Sequence, residues 1–115
     1  MNRATFKCSL WNNSQNGWGI TIGRINARKH FHPSRSKINV EFEGRQLVVA
    51  LDRNKGSRTF WGDCPEFRHP AIRQWVKKHN ATVENMNRYQ FKMEIIEPYM
   101  KFRLVSVPDG DDVAR

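Results

Sequence analysis

The chain is 115 residues long, 38% hydrophobic and 11% aromatic, with 20 Lys and Arg against 11 Asp and Glu and a formal net charge of +9. This length predicts one domain, the apolar content excludes a disordered chain, and no apolar run nears the ~20 residues that span a bilayer. The charge is lopsided: residues 1–60 hold eleven bases and three acids, residues 61–115 nine bases and eight acids, and no acid precedes Glu41.

Residues 5–11 alternate, with Phe6, Cys8 and Leu10 on one face, and predict a half-buried strand. NNSQNG, residues 12–17, reads as a polar loop of turn formers. Trp18, Ile20 and Ile22 alternate again, and Gly23 ends that second strand. Residues 24–31 predict a short helix that turns Ile25, Ala27 and Phe31 inward and stops at Pro33. Residues 37–43 alternate through Ile38, Val40 and Phe42, and residues 45–51 return through Leu47, Val49 and Leu51. With Glu43-Gly44 between them they predict a hairpin.

Residues 52–58 form a basic, polar loop, residues 59–61 a short fifth strand, and residues 63–68 an irregular stretch around Pro65. Pro70 suits the first turn of a helix. Ile72, Trp75, Val76 and His79 then fall at the spacing of one buried stripe, Lys77, Lys78 and His79 complement the C-terminal dipole, and Asn80 caps. Tyr89, Phe91, Met93 and Ile95 mark a sixth strand that Pro98 breaks, and residues 101–107 a seventh. The fold class predicted is mainly β, a seven-stranded open pseudobarrel with two short α-helices. Alternation leaves one face of each strand wet, which suits an antiparallel barrel over a parallel sheet. The domain spans 1–107, and 108–115 reads as an acidic flexible tail.

No catalytic constellation is present. His30 and His32 lack a nearby carboxylate or thiol to complete a metal site, Glu94 and Glu97 read as solvated strand charges, and no serine or glycine run has a catalytic context. The expectation is therefore no enzyme, no metal and no cofactor. The N-terminal MNRATFKCSLW has no apolar stretch or cleavage site, so no export signal is expected. Cys8 and Cys64, which form no CxxC, are expected to be free thiols in a reducing compartment. That compartment is the cytoplasm, beside the nucleoid, in a bacterium and the nucleus in a eukaryote.

Crowded positive charge costs a folded domain stability through self-repulsion, whereas a polyanion relieves it and releases its own counterions. Nucleic acid is the partner this charge points to, against a basic surface with no specific partner. Asn12, Asn13, Gln15 and Asn16 supply amides that suit adenine edges, if their loop is more than a turn. Arg53, Asn54, Lys55, Ser57 and Arg58 combine groups that read guanine with groups that hold phosphate, if theirs is more than a solvated tip. Arg24, Arg28 and Lys29 suit phosphate clamps or a solvated helix face, and Lys7 belongs with the bases able to meet phosphate. Trp11, Trp18 and Trp61 stand beside these loops as rim aromatics or stacking platforms, while Trp75 reads as core.

NSQNGWGITIGRINARKHFHP resembles the opening of a plant-type B3 domain: a polar loop, an apolar strand, then a short helix ending in His-Phe-Pro. KINVEFEGRQLVVAL is similar to that family's central hairpin, and DRNKGSRTFWGDC stands where it has a polar recognition loop. AIRQWVKKHNATVENMNRYQFKMEI resembles its later helix and strand, with Trp75, Asn80, Val83 and Phe91 in register. Gly23 and Arg24 replace the family's Pro and Lys, and Asn87-Arg88 replaces its Gly-Asp turn. The chain thereby looks more like the recognition domains of bacterial restriction endonucleases than the plant transcription factors. The resemblance implies a double-stranded DNA binder that grips the major groove with two arms, residues 11–18 and 52–60. It also implies that catalysis resides in a separate nuclease domain or subunit. The alternative is a barrel that binds RNA or single strands by stacking bases on Trp11, Trp18 and Trp61.

Overall fold

In the computed structural model residues 4–13, 17–32, 37–51 and 65–107 are described. Alternation becomes strand wherever the inward side chains find a common core. β1 (Thr5–Asn13) buries Phe6, Cys8 and Leu10 and exposes Lys7 and Ser9. β2 (Gly17–Thr21) returns against it, β3 (Lys37–Phe42) and β4 (Arg45–Ala50) form the central hairpin, and β6 (Gln90–Glu97) and β7 (Lys101–Val107) form the last one. A two-residue β5 (Glu66–Phe67) pairs with the end of β2. Among the described residues the result is a mainly β fold, a nearly closed barrel-shaped sheet of seven strands in the order β4-β3-β7-β6-β1-β2-β5, with two helices. Its interior is filled by Ile20, Val40, Phe67, Ile72, Phe91, Met93 and Phe102, all fully buried.

The central hairpin turns on Glu43 and Gly44, both at positive φ (50° and 77°), the handedness a two-residue turn needs to match strand twist. α2 (Pro70–His79) starts as its residues dictate. Pro70 occupies the first turn, His69 accepts a hydrogen bond from the Ala71 N–H at Nδ1 (3.0 Å), and Asn80 closes the other end in the left-handed region. It buries Ala71, Ile72, Trp75 and Val76. His79, expected in the buried stripe, is exposed, and its ring lies over Trp75 at 4.3 Å.

Four further expectations are corrected. The first arm is shorter than residues 12–17 suggested, because Asn12 and Asn13 extend β1 in register with Trp18 and Gly17. Ladder pairing outweighs the turn preference of asparagine there. In α1 (Arg24–His30) Ile25 is 80% exposed instead of inward. The helix phase is set by Asn26, whose Nδ2 donates to the Lys7 carbonyl oxygen (3.1 Å), and by Ala27 and Phe31, which are buried. Third, the stretch around Pro65 is not irregular: Pro65 accepts from the Ile22 N–H (2.9 Å), and Glu66 and Phe67 add an edge strand to β2. The expected strand at 59–61 lies outside the described residues, as does the tail. Finally, the sheet is not wholly antiparallel, since β7 runs parallel to β3. The long path from β3 to β7 allows this, because it crosses the barrel through α2.

Tracing strand direction through these pairings places β1, β3, β5 and β7 one way and β2, β4 and β6 the other. α1 closes the end where β1 and β7 begin: His30 stacks on Phe6 (4.7 Å) and Phe31 on Phe102 (4.9 Å). α2 closes the end where β6 begins, with Trp75 edge-on to Tyr89 (5.2 Å) and Phe91 (5.0 Å).

Candidate nucleic-acid interface

The described roots of the two expected arms lie at opposite ends of the barrel. The first joins β1 to β2 at the α2 end. Trp11 projects outward opposite Gly19 and is 45% exposed. Asn12 faces the barrel mouth, half-buried, opposite Trp18, which packs against the core. Asn13 ends β1 opposite Gly17. Gln15 and Asn16 lie outside the described residues.

The second arm is rooted at the α1 end. Its described flanks are Leu51 and Pro65, both buried, and Pro65 is bonded to Ile22, two residues before α1. Arg53, Asn54, Lys55, Ser57 and Arg58 lie outside the described residues. α1 begins beside this root, with Arg24, Arg28 and Lys29 exposed on it, and Lys37 pairs with Ala50 at the start of β3. The structure thus brings the start of α1, with Arg24, near the foot of the second arm. It sets Trp11, Asn12 and Trp18 at the far end.

Between the arms runs the outer face of β1 and β2: Lys7, then Ser9 beside Thr21, then Trp11 beside Gly19. Gly19 is required here. A Cβ at this position would stand 2.7 Å from the Phe67 carbonyl oxygen, a backbone atom of β5. Beside the first arm lies a groove of about 390 Å³ lined by Gly17, Trp18, Arg68, His69, Pro70 and Arg73. Sequence reasoning did not select Arg68, His69 or Arg73. They reach Trp18 only because β5 pairs with β2, and a two-residue strand carries no periodic signal.

Three of the six described acids, Glu41, Glu66 and Glu94, are held by arginines. Arg103 Nε donates to Glu41 Oε2 at 2.7 Å, and this bond holds the Glu41 carboxyl below the usual range. Arg103 also reaches Glu94 at 3.8 Å, and Arg68 pairs with Glu66. Glu43 sits at the β3–β4 turn, the end nearer α2, where its neighbour Arg45 bonds Gln74. His30 titrates below its ordinary value, first because it is partly removed from water and then because Lys29 is close. Cys8 is a free, buried thiol, and desolvation pushes it far above the usual range. Among the described residues no group of three His, Cys, Asp or Glu is placed to hold a metal ion, and no helix is long and apolar enough to cross a membrane.

A barrel-like sheet with two helices serves many unrelated activities, so the fold by itself names no family. No protein-family model matches this chain, and no solved structure matches it.

Proposed function

We propose that this chain is a sequence-preferring double-stranded DNA-binding domain that holds the major groove between two arms. In this reading it works as the recognition module of a restriction-type nuclease or of a transcription factor, and any cleavage belongs to another domain or subunit. The observation that carries the reading is the excess of positive charge in the first half of the chain. Residues 1–60 hold eleven bases and three acids, and of those acids Glu41 is taken by Arg103 while Glu43 sits at the turn nearer α2. Arg24, Arg28 and Lys29 are exposed on α1, which begins beside the foot of a basic loop. Phosphate contacts of this kind position a duplex, and amide and guanidinium groups on the arms can then read base edges.

The exposed indole of Trp11 favours a second reading, in which an unpaired base of RNA or single-stranded DNA stacks on it. Competition among duplex DNA, single-stranded DNA and RNA of one sequence separates the two, and selection from random duplexes then finds the site. Duplex preference with an enriched motif supports the proposal. Preference for single strands, with Trp11→Ala more harmful than Arg24→Ala, supports the second reading. No binding to any of them at low salt refutes both.

A further inference from the structure

We infer that the outer face of β1 and β6 is a phosphate-contact surface for a DNA duplex, centred on Lys7 and Lys92. The inference rests on the double-stranded DNA reading above.

Lys7 stands directly opposite Lys92 in the β1–β6 ladder. Their neighbours Phe6, Cys8, Phe91 and Met93 are buried, so both lysines lie on the outer face, and both are exposed. Directly opposite residues hold their Cβ atoms about 4.5–5.5 Å apart, and like charges in such a pair weaken the sheet. No hydrogen bond or ion pair reaches either side chain among the described residues. Glu94, the next outward position on β6, faces Thr5 and lies 3.8 Å from Arg103, whose shorter bond is to Glu41. The rung on the other side is Ser9 between Gln90 and Thr21, a row of neutral polar groups.

β2 does not run beside Lys7. α1 takes that place, with Asn26 bonded to the Lys7 carbonyl oxygen, and Arg28 and Lys29 are exposed on that helix. The two lysines therefore add to the positive charge of α1 on the outer face of β1 and β6. A paired anion converts their repulsion into attraction. Lysine suits phosphate as a point charge and lacks the planar fork that reads guanine. The surface is thus expected to position a duplex without reading its sequence.

The test uses the full chain, with a labelled duplex carrying the selected site and a scrambled duplex, over a salt series. Lys7→Gln and Lys92→Gln should each make the slope of log K against log[salt] less negative by about 0.9 and weaken binding about eightfold at 0.1 M salt. The double variant should show about twice that change in slope. The ratio between selected and scrambled duplexes should hold, and Lys78→Gln on α2 should leave the slope unchanged. Both lysines are exposed, so the variants should melt no lower than the parent chain at low salt. If the parent chain binds duplex with a steep slope and the double variant matches it, the inference fails and the DNA reading stands. A loss of sequence preference at constant slope also overturns it, since the lysines would then be reading bases. Failure of the parent chain to bind duplex removes the DNA reading and the inference together.

Discussion

Replacing Trp75 with alanine should cost about 3–5 kcal/mol, the range for truncating a large buried aromatic. The indole is 3% exposed and makes three aromatic contacts, with His79 stacked at 4.3 Å and with Phe91 and Tyr89 edge-on at 5.0 and 5.2 Å. Aromatic pairs contribute about 0.5–1.5 kcal/mol beyond their buried area, which favours the upper part of that range. One feature of the site acts in the opposite sense. Among the described residues the buried Trp75 Nε1 has no hydrogen-bond partner, and an unmade bond of this kind costs about 1–3 kcal/mol. Trp75→Phe keeps most of the aromatic packing and removes the orphan N–H, so it should cost under about 1.5 kcal/mol. Urea unfolding at constant m-value measures both differences. In melting temperature the alanine variant should fall by about 12–20 °C, at roughly 4 °C per kcal/mol for a domain of this size. A loss under about 1.5 kcal/mol for alanine, or equal losses for alanine and phenylalanine, refutes the reasoning. The alanine variant, assayed below its melting point, should also retain its preference between selected and scrambled duplexes. If it folds yet fails to bind, Trp75 belongs to the interface.

Gly19→Ala should destabilise by about 1–3 kcal/mol, because the new methyl meets the β5 backbone at 2.7 Å; equal melting temperatures would show that β5 shifts freely. His30 titrates below its ordinary value in the fold, so the unfolded chain binds the proton first. Stability should hold above about pH 6.5 and decline as the pH falls from there through the lowered folded value. His30→Gln should flatten that decline in a series of denaturant melts, and an unchanged slope would place its origin elsewhere. The parent chain should bind duplex with a salt slope of roughly −5 to −7, as six to eight phosphate contacts require; a slope shallower than about −2 removes the electrostatic basis. Arg24→Ala and Lys29→Ala should weaken selected and scrambled duplexes alike. Alanine at Asn12, Arg53 or Arg58 should instead cost about 1–3 kcal/mol of discrimination at one or two base positions, and parallel shifts throughout would end the two-arm reading.

Much of this barrel is visible along the chain. The alternation of Phe6, Cys8 and Leu10, the return of Leu47 and Val49 across Glu43-Gly44, and the helix framed by Pro70 and Asn80 are local patterns. They reflect backbone preference and the period of burial, and those forces act within a few residues. The uneven charge is also plain in the linear order. Other features depend on which faces meet across the barrel, and no window of sequence contains that information. Ile25 is apolar yet exposed because the phase of α1 answers to the Lys7 carbonyl and the Phe102 ring. Glu66 and Phe67 are a strand only because β2 offers an edge to pair with. β7 lies parallel to β3 because burying Phe102 and Leu104 beside Val40 and Phe42 outweighs the shorter connection an antiparallel neighbour would need. Lys7 and Lys92 are 85 residues apart in number and adjacent in space. Their juxtaposition follows from register, and register is fixed by burying Cys8 against Phe91 and Phe6 against Met93.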